Sequence, residues 1–173
     1  MRRLAAVLLV LLVLSLTGCG GGDTVPDPEP TGITAPPSPN PARSKTFSLS
    51  CGGAEVRLPA MPAKLKRAGS FGHLASLVRR LDVEGLIWRR NDEHLYVGVV
   101  CGVRTAEQFA TLVARSTLTV YKGRPALRWT TKKGLRNFMW LERPGTAVYI
   151  GATPGLAPQI KQIAGGVSAS LGQ

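Results

Sequence analysis

Three cysteines and two histidines carry the most reactive chemistry in this chain of 173 residues. Their spacing assigns little of it to catalysis. His73 and His94 stand apart, and no HExxH pair, GxSxG elbow or GxxxxGK[ST] phosphate loop occurs. Asp92 precedes His94 by two residues at a turn, where a carboxylate cannot normally stand behind the imidazole and orient it as a hydrolytic triad requires. Two carboxylate pairs, Asp82 with Glu84 and Asp92 with Glu93, are the only close ones in the C-terminal part that glycoside hydrolysis could use. Neither the cysteines nor the histidines follow a zinc or CxxC spacing, so no metal and no cofactor is expected. The chain reads as a non-enzyme, with a small hydrolase built on an unrecognised site as one alternative.

Cys19 has a different chemistry, set by what precedes it. Met1-Arg2-Arg3 leads into Leu4 to Leu16, a run of Leu, Ala and Val broken by Ser15. As a helix that run spans about 20 Å, short of the roughly 30 Å hydrocarbon core of a membrane. A basic start, a short apolar centre and a small-residue end are the parts of a secretory signal. The segment Leu16-Thr17-Gly18-Cys19 resembles the lipobox of bacterial lipoproteins: a branched apolar residue, two small residues, then cysteine. The resemblance implies a diacylglyceryl group on the Cys19 thiol and cleavage just before it, which removes residues 1–18 as a signal peptide. It also implies export and attachment to the outer face of the cell membrane through diacylglyceryl-Cys19, where two or more acyl chains such as palmitate make release slow. Arg2-Arg3 lacks the longer polar start of twin-arginine export, so general secretion is expected.

Residues 19–45 read as the lipidated cysteine and a tether. Gly20-Gly21-Gly22 is followed by prolines at 26, 28, 30, 36, 37, 39 and 41 with no apolar periodicity, a composition of extended segments and flexible breaks. Such a tether reaches at most about 80 Å and averages about 28 Å if fully flexible. Residues 46–173 form the single candidate domain. They hold 18 of the basic residues and 7 of the acidic ones, so nearly all of the chain's net charge of +12 belongs to the folded part. Mean hydropathy just above zero, despite that charge, is then explained by the removable leader.

Within the domain, Phe47, Leu49 and Cys51 alternate with serines, and Val56 and Leu58 alternate with Glu55 and Arg57 beyond Gly52-Gly53. Two strands joined at the glycines are predicted. Ser70 is expected to cap a helix with Phe71, Leu74, Leu77, Val78 and Leu81 on its inner face. A hairpin of Leu86-Ile87-Trp88 with Leu95 to Val100 turns at Asn91-Asp92-Glu93. Thr105-Ala106-Glu107-Gln108 fits a capping box and starts a second helix with Phe109, Leu112, Val113 and Ser116 inward. Strands 117–121, 126–131, 136–141 and 146–151 follow, and Pro154-Gly155 opens a third helix with Leu156, Ile160, Ile163 and Val167 on one stripe. The domain's glycines read as turn residues. The expected class is α+β, a mainly antiparallel curved sheet with about three packed helices in the order ββ-α-ββ-α-ββββ-α.

Gly123-Arg124-Pro125-Ala126, the pair Phe138 and Trp140, Pro144-Gly145, Val148-Tyr149-Ile150-Gly151 and the closing helix with Ile160 and Ile163-Ala164 are similar to the end of a domain of unknown function. That domain occurs in extracytoplasmic parts of anti-sigma factors and lipoproteins. The resemblance covers about fifty residues, implies a sheet-plus-helix envelope module and brings no catalytic residue with it.

Outside the membrane, Cys51 and Cys101 are expected to form a disulfide, closing a loop worth about 4 kcal/mol in the chain-entropy model. In the stretch 122–136, alternation turns Leu127 and Trp129 to one side and Arg128, Thr130 and Lys132 to the other. Lys122, Arg124, Arg128, Lys132, Lys133 and Arg136 therefore make up the candidate ligand-binding basic face. Export makes nucleic acid a poor partner, whereas anionic lipids or polyanionic envelope polymers suit the location. The leading expectation is a basic, non-catalytic binding domain for an anionic or amphiphilic envelope component. The other alternative is an envelope regulatory or assembly factor acting through protein contacts. Mass spectrometry of the mature N-terminus should show acyl mass on Cys19, and a Cys19→Ser variant should be released or left unprocessed; an unmodified Cys19 overturns the anchoring.

Overall fold

The structure, a computed structural model, describes residues 46–171. The signal segment 1–18, Cys19 and the tether 19–45 lie outside the described residues. Among the described residues no helix is long and apolar enough to cross a membrane.

The elements are strands β1 (Phe47–Cys51), β2 (Ala54–Leu58), β3 (Lys66–Phe71), β4 (Val83–Arg90) and β5 (Glu93–Cys101), then helix α1 (Ala106–Ala110). Strands β6 (Thr117–Tyr121), β7 (Arg124–Thr130), β8 (Arg136–Arg143) and β9 (Thr146–Ala152) come next. A 3-10 turn (Pro154–Leu156), helix α2 (Gln159–Gly166) and strand β10 (Ser168–Leu171) close the domain. Every pairing is antiparallel. β1-β2-β10 form a small sheet and β3-β4-β5-β9-β8-β7-β6 a large one.

This overturns the α+β expectation with three helices in the order ββ-α-ββ-α-ββββ-α: the domain is predominantly antiparallel β, with two sheets and two short helices. The helix expected over 70–81 does not form. Ser70 and Phe71 belong to β3, where they pair with Leu86 and Gly85, and residues 72–82 run as an irregular strap. Leu74, Leu77 and Leu81 still pack on the sheet, so their helical spacing records a common target rather than a helix. β3 escapes sequence reading because most of Lys66-Arg67-Ala68-Gly69-Ser70 is exposed, without the alternation that marks a half-buried strand. β10, Ser-Ala-Ser-Leu, is a short edge strand partly exposed throughout.

Other local expectations hold. Gly52 and Gly53, both at positive φ (54° and 85°), make the turn between β1 and β2, and Lys122 and Gly123 (49° and 75°) that between β6 and β7. Thr105 caps α1, its Oγ1 accepting from the Gln108 N–H at 3.2 Å, while Gln108 Oε1 accepts from the Arg104 N–H at 3.1 Å.

The large sheet is covered on both faces. β9 is buried at every residue: Val148, Ile150 and Ala152 point to one core, Ala147 and Tyr149 to the other. The first core lies under the small sheet and α2 and contains Leu49, Val56, Trp88, Val97, Phe138, Trp140 and Ile163. The second lies under α1 and the strap, with Phe109, Leu112, Leu127, Met139 and Tyr149. Four glycines sit inside strands, contrary to the turn expectation: Gly69 at the register shift of β3, and Gly85, Gly98 and Gly151. Gly85 and Gly98 pair across β4 and β5, and the Phe71 ring occupies the space that their side chains would fill. Gly151 leaves room for Tyr149, whose hydroxyl donates to Asn137 Oδ1 at 2.7 Å. Asn137 Nδ2 in turn donates to the carbonyls of Leu135 (2.8 Å) and Trp129 (3.3 Å).

Cys51 and Cys101 are bonded, with Cα atoms 5.5 Å apart. The bridge ties β1 of the small sheet to the end of β5 in the large one.

Burial, and next to it the neighbouring Tyr96 phenol, hold the Tyr149 hydroxyl well above the usual phenol range. The folded state keeps a proton that an unfolded tyrosine releases near pH 10. This group's contribution is therefore intact below about pH 10 and declines as pH rises beyond it. Tyr149→Phe should cost about 1–3 kcal/mol by leaving Asn137 Oδ1 without its donor, and should flatten the alkaline end of the stability profile. Denaturant titrations at neutral and alkaline pH check both.

Candidate functional site

The cover over the first face runs out at β6, β7 and the near half of β8. There a groove of about 780 Å³ opens between the sheet and α2. Strand alternation decides what reaches it. On β7, Leu127 and Trp129 are buried on the far side, so Arg128 and Thr130 come to the groove side. On β8 the same rule brings Arg136 and Phe138; on β6 it brings Thr117 and Tyr121. Tyr121 packs edge-on against Phe138 and Trp140, with centroids 5.2 Å away in both cases, and gives the groove an aromatic floor. The Arg128 guanidinium lies 5.2 Å above the Phe138 ring, which holds it over that floor. From above, Ala157, Ile160, Lys161 and Ala164 supply the wall.

Four cations therefore line the groove, Arg115, Arg128, Arg136 and Lys161, and no carboxylate does. Four of the seven acidic residues of the domain are engaged elsewhere. Glu142 Oε2 accepts from Arg124 Nη1 at 2.9 Å and from Trp140 Nε1 at 2.6 Å. Glu93 accepts from the Thr153 hydroxyl and, at 3.0 Å, from the Gly155 N–H, anchoring the turn before α2. Glu84 Oε2 takes the Ser50 N–H at 2.8 Å, and Glu55 pairs with Arg57 at 3.5 Å. Like charges facing one cleft without internal compensation repel each other and favour an anion between them. Guanidinium forks suit phosphate or carboxylate oxygens, and the aromatic and aliphatic floor suits an apolar extension of the same ligand.

The six basic residues singled out in the sequence divide by position. Arg128 and Arg136 come together in the groove. Lys122 stands at its rim, with Nζ donating to the Gly165 carbonyl at 3.4 Å and lying 5.4 Å from the Tyr121 ring centre. Arg124 is committed to Glu142 and helps hold β7 to β8. Lys132 and Lys133 occupy the exposed turn beyond β7 and do not line the groove. Arg115 and Lys161 were missed because one lies in the loop before β6 and the other on α2, and only tertiary packing joins them. A signal for Lys161 existed: it shares helical spacing with the small residues Ala157 and Ala164, the pattern of a helix side that leaves space below it.

The histidines do not contribute. His94 Nδ1 lies 3.1 Å from the backbone carbonyl of Asp92, not its carboxylate, and the ring stacks on Tyr96. His73 is exposed on the strap. Among the described residues no group of three His, Cys, Asp or Glu side chains could hold a metal ion.

No protein-family model matches the chain, and no curated protein or solved structure shows significant similarity to it.

Proposed function

We propose that this protein is an exported lipoprotein, anchored through Cys19 to the outer face of the cell membrane, whose β domain binds an anionic amphiphile of the envelope without transforming it. The observation that carries the reading is the groove itself: four cations, no carboxylate and an aromatic floor in one cleft. Arginine forks grip the oxygens of a phosphate or carboxylate head while Tyr121, Phe138 and Ile160 cover the apolar part. The anchor favours a single captured molecule over general attraction to the membrane surface. Surface potential decays over about 8 Å at physiological ionic strength, and the tether averages about 28 Å.

Soluble short-chain lipids separate capture from anchoring. Calorimetry on the non-lipidated Cys19→Ser chain should show dihexanoyl phosphatidylglycerol binding at least about tenfold more tightly than its phosphatidylcholine counterpart, with the preference weakening as salt rises. The double change Arg128→Ala with Arg136→Ala should lower that affinity about tenfold or more, since each removed charge-assisted contact is worth about 1.5–3 kcal/mol. Equal binding of both lipids, or an unaffected double variant, rejects the groove as the site.

A further inference from the structure

β6 forms one edge of the large sheet, and its outer side has no strand beside it among the described residues. Its sequence, Thr117-Leu118-Thr119-Val120-Tyr121, carries none of the features that usually blunt an edge: no charge, no proline and no bulge in its pairing with β7. The opposite edge, β3, does have them, with exposed Lys66 and Arg67 and a register shift between Arg67 and Gly69. On β6 the residues turned away from the groove are Leu118 and Val120, 58% and 72% exposed and among the few large apolar side chains left in solvent. We infer that β6 is a docking edge for an extended peptide segment of a partner protein in which acidic and apolar residues alternate.

The alternation follows from strand geometry. A strand added beside β6 sends successive side chains to opposite faces. Residues opposite Leu118 and Val120 emerge beside those two side chains and bury them, so apolar residues fit there. Residues opposite Thr117, Thr119 and Tyr121 emerge on the groove side. The Arg128 guanidinium lies over Phe138 on the β8 side of β7, away from the added strand, so the charge offered to that strand comes from the two ends of β6. Arg115 just before β6 and Lys122 just after it favour acidic residues on this side of the added strand.

A second copy of this chain is the other occupant the edge could take. Antiparallel self-pairing about Thr119 would place Leu118 beside Val120 of the copy. It would also set Arg115 next to the copy's turn at Lys122-Gly123, at the edge of two domains that each carry 18 basic and 7 acidic residues. Charge complementarity therefore selects an acidic strand. Arg115 is shared with the groove, whereas Leu118 and Val120 are not.

The probe is the blocked hexapeptide of alternating Glu and Val, measured by fluorescence anisotropy and by amide hydrogen exchange on the Cys19→Ser chain. Binding should slow exchange within Thr117–Tyr121. The same peptide N-methylated at alternate residues, which keeps the side chains but removes ladder donors, should bind at least about tenfold more weakly. Leu118→Ser with Val120→Ser should lower affinity about tenfold while leaving binding of dihexanoyl phosphatidylglycerol unchanged. Equal binding of the N-methylated peptide, unprotected β6 amides, or self-association through β6 without peptide each overturns the inference. Loss of peptide binding with lipid binding intact overturns it alone and leaves the groove reading standing.

Discussion

The structure depends on the need to cover both faces of one seven-stranded sheet. β9 lies in the middle and is buried along its whole length, so apolar side chains leave it in both directions and neither face can be left to water. One face is closed by the small sheet and α2, the other by α1 and the strap. The covering elements are short relative to a sheet that ends in β8, β7 and β6 on one side. Where the first cover stops, the groove begins. Its aromatic floor is thus continuous with the core: Phe138 and Tyr121 pack in the same cluster as Trp140 and Ile150.

The positions of the charges follow from the same arrangement. Carboxylates are spent on joints. Glu142 receives Arg124 and the Trp140 indole, Glu93 anchors the turn before α2, and Glu84 receives a backbone N–H of β1. None of the domain's few acids lines the groove, and the cations that strand alternation sends there meet without partners. The Cys51–Cys101 bridge ties the small sheet to β5 and so secures the cover whose limit defines the groove. A mobile cover would not hold α2 at a constant height over Arg128 and Phe138.

Much of this was legible in the residues, where turn chemistry and period agreed. The hairpins at Gly52-Gly53, Asn91-Asp92, Lys122-Gly123 and Pro144-Gly145 announced themselves by residues that tolerate turn geometry, and Thr105 with Gln108 announced α1. The failures have a common origin in tertiary context. β3 is polar because it is an edge; the strap has helical spacing because Leu74, Leu77 and Leu81 all seek the same core; and Gly85 and Gly98 lie in strands because Phe71 takes the space above them. The site was half legible. Alternation on β7 and β8 pointed to Arg128 and Arg136, but nothing local revealed that Glu142 would claim Arg124, or that a loop and a helix would bring Arg115 and Lys161 to the same cleft.

The central claim is that the unpaired cations over the aromatic floor form one anion-binding site. Side-chain NMR during titration with dihexanoyl phosphatidylglycerol tests it most directly. The account predicts saturable shifts confined to the guanidinium resonances of Arg128 and Arg136, the Lys161 ammonium and the rings of Tyr121 and Phe138. Non-saturating shifts spread evenly over Arg79, Arg80, Arg89 and Arg90 as well would contradict it, and would make the positive charge a general property of the surface.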